Sequence, residues 1–446
     1  MSVSAAETWR AGTARANITP EGSMWMAGYT RNRPTVEKTQ DLWVKALALQ
    51  DATGKRSVVF TADLCGITAA VSEAVAGELQ RALQFPRSSV LVNVSHTHSG
   101  PVVEGYLPAV YEIPKEDRPA VALYRQGLER TMVRIATEAV ANLAPAGLSW
   151  GNGWTTFGVN RRNNPEADVP RLRAEGRLVG PVDPDVPVLR ITDLDGRIKA
   201  IVFGYACHAT VLQDSAWNGD YAGYAQAALE TRRPGAVAMF FAGCGADTNP
   251  LPRSTLLLAK KYGEQLADTV EAVLGAPMNP VSASSQSAFA TIELPYERVP
   301  SQEELVAEAE SQKTGVSPYE RGGKYTQLRA RHLLGKLAQH GQLAPAHAYP
   351  IQVWRLGRDL VWIALGGEVV ADYSLRLKRE LGPGTWVAGY SNDVMAYIPS
   401  ERVLGEGGYE GSRSMIVYGH PSPWAPGLED KIIAKTRELA VAVRSR

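Results

Sequence analysis

Two histidines stand one residue apart in the stretch NVSHTHSGP, which runs from Asn93 to Pro101. The chain contains only seven histidines, so a pair beside a glycine and a proline needs an explanation. The preceding residues are typical of a buried strand, and residues two apart in a strand face the same way. His96 and His98 are therefore predicted to point at one spot, where neutral imidazoles suit zinc. Paired histidines at strand ends are also common as hydrogen-bonded structural groups, so the pair alone does not establish a metal.

Other polar side chains follow other apolar runs. His208 ends the first half of FGYACHATVL, where a lone histidine is more often a hydrogen-bonded core residue than a ligand. Glu368 follows two glycines in ALGGEVV, and a carboxylate buried there needs a partner because burying it unpaired is costly. That partner is either an arginine or a metal ion that the carboxylate binds through oxygen. Tyr397 and Tyr409 lie in the loop segment YSNDVMAYIPSERVLGEGGYEG, and surface tyrosines are too common to indicate chemistry by themselves.

The composition is that of a globular protein, with 45% hydrophobic and 21% charged residues among 446. The net charge is +1 with no block of like charges, which gives no indication of a nucleic-acid partner or an anionic membrane surface. No window resembles an integral membrane segment, and the first twenty residues lack the apolar core of a signal peptide. We therefore expect a cytoplasmic protein whose oligomeric state the sequence does not indicate. Cys65, Cys207 and Cys244 lie in apolar contexts and are predicted to be buried thiols.

Strand and helix signals alternate along most of the chain and predict one large mixed α/β domain over residues 1–446. Residues 57–64 and 89–98 are predicted to be parallel strands on either side of a helix. This unit places the histidine pair at the C-terminal end of a strand, where α/β folds carry their sites. The segment 312–350 is rich in glycine, proline and charge and is predicted to be an insertion or lid.

Local signals predict several further features. Asp195-Gly196 between two apolar runs predicts a β-hairpin, and a second hairpin is expected to turn near residues 357–359. Ser301 and Glu304 have the capping-box spacing that begins a helix. The remaining histidines lie in polar or Pro/Gly-rich contexts and are expected to be solvated: His332, His340, His347 and His420.

The order of these motifs resembles the neutral, non-lysosomal ceramidase family. The chain has ANITP and then MAGY near its start, followed by HTHSGP beginning at His96. The pair Asn160-Arg161 comes next in FGVNRRNN. The later matches are His208, Glu368 in GGE, Tyr397 in AYIPS and Tyr409 in GGYEG. The similarity extends from about residue 11 to residue 420, which is nearly the whole chain.

The resemblance implies a fold like that of the ceramidase catalytic domain and a Zn²⁺ site with four ligands: His96, His208, Glu368 and Tyr397. It implies that His98 and Tyr409 lie beside the reacting carbonyl as catalytic residues. It also implies that Arg161, with Asn160, binds a polar end of the substrate. Two imidazoles, a carboxylate and a phenolate leave room for a water whose pKa the metal lowers. Tyr409 or His98 can then donate to the oxyanion.

One segment departs from the family. Ceramidases of this type carry GDVSPN or a near variant, whose serine is the proposed nucleophile, whereas this chain has CGADTNPLP. Pairing the aspartate and the proline puts Asn249 at the position of the serine, and a shift by one residue puts Thr248 there. An amide side chain has no ionisable hydroxyl with which to form an acyl-enzyme. We therefore expect direct attack by a water that zinc activates, with Asn249 orienting substrate or water and Thr248 as the alternative nucleophile.

Two further departures concern the substrate. The sequence ends soon after the YEG motif, without the family's C-terminal β-sandwich domain, and it shows no secretion signal. The primary expectation is therefore a zinc hydrolase that cleaves the C–N bond of a small or moderately apolar intracellular amide or acyl compound. Three alternatives stay open: hydrolysis of an ester, lactone or cyclic amide; hydrolysis of ceramide; and a non-catalytic zinc-binding relative. Tyr409, Arg161 and His98 argue against the last, since a structural zinc site needs none of them.

Overall fold

The computed structural model describes residues 8–313 and 316–444, which form a mixed α/β architecture as predicted. The strands are β1 (Trp9–Asn17), β2 (Trp43–Gln50), β3 (Arg56–Ala62), β4 (Val90–Val94), β5 (Ala144–Trp154), β6 (Gly158–Asn160), β7 (Asp185–Thr192), β8 (Ile198–Tyr205), β9 (Val237–Ala242), β10 (Thr248–Pro250), β11 (Asn279–Pro280), β12 (Ser285–Pro295), β13 (Ala346–Leu356), β14 (Leu360–Leu365), β15 (Glu368–Val369), β16 (Thr385–Ala388) and β17 (Tyr397–Ile398). The helices are α1 (Ala69–Leu83), α2 (Arg118–Ala141), α3 (Val169–Ala174), α4 (Asp220–Arg232), α5 (Leu256–Gly275), α6 (Gln302–Ala309), α7 (Lys324–His340), α8 (Ala371–Leu381), α9 (Glu401–Glu406), α10 (Ser414–Val417) and α11 (Leu428–Arg444).

Within the described residues the larger sheet has nine strands, in the order β4-β3-β2-β1-β5-β7-β8-β9 with β11 beside β5. The predicted parallel unit is β3-α1-β4, and the turn at Asp195-Gly196 joins the antiparallel strands β7 and β8. β8 and β9 are parallel and are connected through α4. The carboxyl ends of β4, β8 and β9 carry the loops with the predicted site residues.

The second sheet has the order β12-β13-β14-β16 and packs face to face on the first. Alternate residues of β9 show how the two layers meet. Phe241 faces the second sheet, with its ring centroid 4.9 Å from that of Trp362 and 6.1 Å from that of Trp386. Phe240 faces the helical layer, where it packs against Tyr221 of α4. Because both faces are buried, a one-residue slip would exchange the two sets of side chains, so the strand ends have a fixed register.

A buried asparagine ties three of these strand ends together. Asn93 Oδ1 accepts a hydrogen bond from the backbone N–H of Ala242 at 2.9 Å, which links β4 to β9. Asn93 Nδ2 donates to the carbonyl oxygen of Gly389 at 2.8 Å, which links β4 to the end of β16. A buried amide that has all its partners holds a specific geometry. β4 ends at Val94, and His96 follows two residues later. The hydrogen bonds of Asn93 therefore also fix the position of the backbone from which the two histidines project.

Most of the local predictions are confirmed. The second hairpin turns between β13 and β14, and Ser301 and Glu304 form a capping box with both reciprocal hydrogen bonds. The three cysteines are buried free thiols. The boundary of the predicted insertion is wrong at one end, because residues 346–350 belong to β13 in the middle of the second sheet. Residues 314 and 315 of that segment lie outside the described residues.

The expectation that His420 is solvated is also wrong. His420 is 5% exposed, and both of its ring nitrogens have partners. Nδ1 lies 2.7 Å from the hydroxyl of Tyr296, and Nε2 donates to the carbonyl oxygen of Met395 at 2.7 Å. The polar local context of His420 gave no sign of Tyr296, which lies 124 positions earlier in the chain.

Candidate metal centre and reaction cavity

His96 and His98 lie in the loop that follows β4 rather than in the strand itself. The strand alternation used in the sequence argument therefore does not orient them, although their Nε2 atoms do meet at 3.1 Å. His96 has a backbone φ of 60°, a left-handed conformation that non-glycine residues rarely adopt and that clusters at functional sites. This turn directs the buried ring of His96 inward, and its Nδ1 lies 2.6 Å from the carbonyl oxygen of Cys65.

His208 reaches the same point from the loop after β8. Its ring is buried, and Nδ1 lies 2.8 Å from the carbonyl oxygen of Gly245. A carbonyl oxygen can only accept, so in both His96 and His208 Nδ1 carries a hydrogen, and Nε2 presents its lone pair whenever the imidazole is neutral. The ring centroids of the two histidines are 4.8 Å apart. Two imidazole nitrogens thus converge as acceptors.

Glu368 and Tyr397 supply the oxygen atoms. Glu368 Oε2 lies 3.1 Å from Nε2 of His96 and 3.1 Å from Nε2 of His208. The hydroxyl of Tyr397 lies 3.2 Å from Nε2 of His208. Among the described residues Glu368 Oε2 has no hydrogen-bond donor, even though the atom is fully buried. The four predicted ligands are therefore together, around an oxygen that lacks a partner.

The donor set fits a divalent cation. Three buried acceptor atoms face one another, so a proton or a cation must lie between them to offset their repulsion and desolvation. Burial lowers the pKa of His96, but the Glu368 carboxylate more than offsets this and raises the pKa to about 10. Burial, together with Arg161, lowers the pKa of His208 to about 4. Two imidazole nitrogens, one carboxylate and one phenol are ligands that suit zinc.

Arg161 lies beside this cluster and connects it to the cavity wall. Its Nε donates to Glu410 at 2.7 Å, and its two terminal nitrogens donate to Asn249 Oδ1 at 3.2 Å and to the Tyr397 hydroxyl at 3.1 Å. Asn160 takes a different position from the one expected. Its amide donates to the carboxylate of Asp247 at 3.0 Å and to the carbonyl oxygen of Pro181 at 2.9 Å, and its side chain does not line the cavity. Asn160 therefore supports the Arg161 loop, and the geometry gives no support to substrate binding by Asn160.

Thr248 and Asn249 alternate in β10 and face opposite ways. Asn249 lines the cavity and accepts a hydrogen bond from Arg161. Thr248 points toward Gly158 of the neighbouring strand β6, and within the described residues its hydroxyl has no hydrogen-bond partner. This arrangement agrees with the alignment that puts Asn249, rather than Thr248, in the position of the family's serine.

A cavity of about 710 Å³ lies beside the candidate ligands, of which Tyr397 is part of its lining. Its lining includes His98, Arg161, Tyr397 and Tyr409, so His98 and Tyr409, like Asn249, open into it as predicted catalytic residues, whereas Thr248 does not. Tyr409 begins a π-helical turn, and its ring centroid lies 5.3 Å from that of Tyr397. Burial raises the pKa of Tyr409 well above its usual value, so its hydroxyl keeps its hydrogen at neutral pH.

The predicted lid segment also contributes to the cavity. Tyr319 lines it, and its ring centroid is 5.9 Å from that of Tyr409. Tyr325, at the start of α7, lines it as well. The segment therefore forms part of the cavity wall, and its role as a lid stays a prediction.

Sequence reasoning missed several tyrosines at the site. The Tyr418 hydroxyl donates to Oε1 of Glu368, and the Tyr106 hydroxyl lies 3.2 Å from that of Tyr418. The ring of Tyr29 packs edge-on against His98, with centroids 4.7 Å apart. Tyr29 belongs to the MAGY motif, so its position in a matched motif was a usable signal. Tyr106 and Tyr418 had no comparable signal, because nothing in their local sequence distinguishes them from core tyrosines.

A family model described as neutral/alkaline non-lysosomal ceramidase, N-terminal, matches residues 9–245. The chain belongs to this family. Neutral ceramidase B of Dictyostelium discoideum is 28% identical over 197 residues, which cover 41% of this chain and 26% of that protein. The match thus spans about a quarter of the length of that relative.

Two solved structures share the fold of this ceramidase-family chain. One is a neutral ceramidase from Pseudomonas aeruginosa, and the other is described as a ceramidase complexed with C2. Each is 20% identical with a TM-score of 0.74, and the alignments cover 99% of this chain and 75% and 76% of the two structures. In the described part of the chain, every helix is too short or too polar to cross a lipid bilayer.

Proposed function

We propose that this ceramidase-family chain is a zinc-dependent hydrolase of the amide bond in an N-acyl substrate of the ceramide type. The observation that carries the proposal is the convergence of His96, His208 and Glu368 on one buried point. Tyr397, which lies 3.2 Å from His208 Nε2, connects this point to the cavity that it lines. The relatives named above support the amide bond, because those that are named for an activity are called ceramidases. They favour a ceramide-type substrate over the small intracellular amide expected from the sequence.

A zinc ion held by His96, His208, Glu368 and Tyr397 would polarise the substrate carbonyl and lower the pKa of a water. The protein residues supply the rest of the chemistry. Tyr409 keeps its hydrogen at neutral pH and can donate a hydrogen bond to the carbonyl oxygen as negative charge develops there. Arg161 lies over the ring of Tyr397 and holds Asn249, so it fixes one wall of the cavity.

His98 is placed to move the proton. Burial and the neighbouring histidines hold the pKa of His98 well below its usual value, so its imidazole is neutral. Its Nε2 lies beside the metal ligands, 3.1 Å from Nε2 of His96. Water adds to the carbonyl carbon, His98 Nε2 accepts a proton from that water, and the same proton goes to the amine nitrogen as the C–N bond breaks. The products are a carboxylic acid and an amine, and no side chain is acylated.

The smaller amide stays as a second candidate because of one observation. Four arginines line the cavity: Arg161, Arg162, Arg253 and Arg413. Among the described residues, the rest of the lining includes the aliphatic side chains of Leu107 and Leu251 and several tyrosine rings. These charged groups favour a substrate with a polar or anionic end over one that is apolar throughout. The ester, lactone or cyclic-amide alternative uses the same groups, since the site would stabilise any tetrahedral acyl intermediate.

The test is a substrate panel on the purified full-length chain. N-acyl sphingoid amides with acyl chains from two to eighteen carbons would be compared with N-acyl amino acids, cyclic amides and the matching esters. Each would be assayed by mass spectrometry before and after chelation and zinc re-addition. We expect zinc-dependent release of acid and amine from the sphingoid amides. If only short amides or esters are turned over, the substrate assignment changes to those compounds. If the protein binds zinc and turns over no compound, it is a non-catalytic zinc-binding relative.

A further inference from the structure

The two carboxylate oxygens of Glu368 have separate partners. Oε2 faces Nε2 of His96 and of His208 at 3.1 Å, whereas Oε1 accepts a hydrogen bond from the hydroxyl of Tyr418. An ionised carboxylate can only accept, so the Tyr418 hydroxyl must be the donor. Tyr418 ends the short helix α10 and is 5% exposed.

The bond from Tyr418 is the last step of a buried chain of donors. The hydroxyl of Tyr106 lies 3.2 Å from that of Tyr418 and can donate to it, since the Tyr418 hydrogen is already engaged. The Sγ of Cys65 lies 3.5 Å from the Tyr106 hydroxyl and can donate in turn. The carbonyl oxygen of the same Cys65 accepts from Nδ1 of His96. One continuous network therefore orients both His96 and Glu368 from behind.

We propose that Tyr418 is a positioning residue that restricts Glu368 to one ligand oxygen and so keeps a coordination position open at the metal. This role rests on the zinc site proposed above. A carboxylate that binds a cation through both oxygens occupies two positions, so together with two imidazoles and a phenol it would fill a five-coordinate zinc. One carboxylate oxygen instead leaves the fifth position for water or substrate. By holding Oε1, Tyr418 leaves only Oε2 to face the two imidazoles. Tyr106 supports Tyr418 and acts one bond further away.

A purely structural tyrosine predicts something different. Removing it would lower the stability of the fold and leave the metal unaffected. Replacing a residue that hydrogen-bonds to a metal ligand instead changes the affinity for the metal, or the activity, typically by about 10- to 100-fold. Binding of Co²⁺ separates the two roles without any substrate, because its absorption bands report the number and geometry of its ligands.

The experiment compares the full-length protein with Tyr418→Phe, Tyr106→Phe and the control Tyr124→Phe. Tyr124→Phe likewise removes one hydrogen bond that a tyrosine hydroxyl donates, here to the carbonyl oxygen of Ile18, and Tyr124 lies outside the cavity lining. Each apo-protein is titrated with Co²⁺ against a competing chelator, and the visible spectrum of the loaded form is recorded. We expect the Co²⁺ dissociation constant of Tyr418→Phe to differ from the parental value by about 10-fold or more. We also expect its visible bands to lose intensity, because a second carboxylate oxygen raises the coordination number. Tyr124→Phe should match the parent in both measurements.

Tyr106→Phe is expected to change both measurements in the same direction by a smaller amount, and it carries the test if Tyr418→Phe does not fold. A parental dissociation constant or a parental spectrum in the folded variant would overturn the role of Tyr418. Failure of the unmodified protein to bind Co²⁺ would overturn the metal site itself, and the role of Tyr418 with it. The two failures are therefore distinguishable.

Discussion

Glu368 and Tyr397 are direct partners in a two-residue parallel ladder formed by β15 and β17. In-register partners on adjacent strands place their side chains about 5 Å apart on the same face, so the ladder itself brings the carboxylate and the phenol together. Glu368 follows β14 and Tyr397 follows β16, which are themselves parallel neighbours. Half of the proposed ligand set is thus fixed by the small β15-β17 ladder, which follows two neighbouring strands of the second sheet. The two histidines come from loops that follow strands of the first sheet.

Replacing the carboxylate should remove the metal. Glu368→Gln keeps the size of the side chain but loses the charge that offsets the cation, and it puts an amide beside two acceptor nitrogens. Because removing an outer partner already costs about 10- to 100-fold, we expect activity to fall by more than about 100-fold here. Zinc content after dialysis, measured by mass spectrometry, checks this. Glu308→Gln is the matched control, because it removes a carboxylate that pairs with Arg329 and leaves the cavity lining unchanged.

The nucleophile can be tested at β10. Thr248→Ala should keep most of the activity, because the hydroxyl faces away from the cavity and, in the described part of the chain, has no hydrogen-bond partner to lose. Asn249→Ala should lower kcat/KM, since it removes the acceptor that Arg161 contacts at 3.2 Å. Steady-state kinetics on the best amide of the panel measures both. Loss of turnover in Thr248→Ala with zinc still bound would refute direct attack by water and make Thr248 the nucleophile.

We expect that a lysine cannot replace Arg161 without loss of activity. Arg161 makes three hydrogen bonds in one plane, to Glu410, Asn249 and Tyr397, and a lysine cannot reproduce that fork. Hydrogen bonds to charged groups contribute about 1.5–3 kcal/mol each, so losing even one should lower kcat/KM of Arg161→Lys by about tenfold or more. Arg329→Lys, at a partly buried pair outside the cavity, should retain parental kinetics. Parental kinetics in Arg161→Lys would show that the fork has no role.

Only part of the site geometry could be predicted from the sequence. The HTHSGP stretch, the Asp195-Gly196 hairpin and the capping box at Ser301 are local signals, and each was found because its cause lies within a few residues. The ligand set could be assembled only through the family resemblance, since His96 and His208 are 112 positions apart and meet through strand order.

Other features have no local cause at all. The direction of the Asn160 amide depends on Asp247, 87 positions away, and the burial of His420 depends on Tyr296. The contact between Tyr418 and Glu368 joins residues 50 positions apart in different layers of the fold. The sequence around a polar side chain does not show whether that side chain is in water or has a buried partner far along the chain. The sequence analysis therefore could not predict these three contacts.

The burial of His420 makes the stability depend on pH. Burial and the neighbouring His347 lower the pKa of His420 to about 3, against 6.5 for an exposed histidine. The unfolded chain therefore binds a proton that the folded chain does not, and the free energy of unfolding falls as the pH drops from about 6.5 toward 3. The slope from this one group approaches about 1.4 kcal/mol per pH unit.

His420→Gln isolates that contribution. Glutamine can accept from Tyr296 and donate to Met395 but does not titrate, and every other titrating group is common to both proteins. Urea unfolding at pH 7 and pH 5 should show that the variant loses about 2 kcal/mol less than the parent over this interval. Equal losses in the two proteins would mean that His420 can be protonated in the folded state at little cost.

The central claim is that His96, His208, Glu368 and Tyr397 hold one divalent cation. Anomalous X-ray diffraction at the zinc edge, from crystals of the protein purified without added chelator, tests it most directly. We predict a single strong peak per chain within about 2.0–2.2 Å of Nε2 of both histidines and of a Glu368 oxygen. A peak at another place in the chain, or no peak after soaking in excess zinc, would contradict the account.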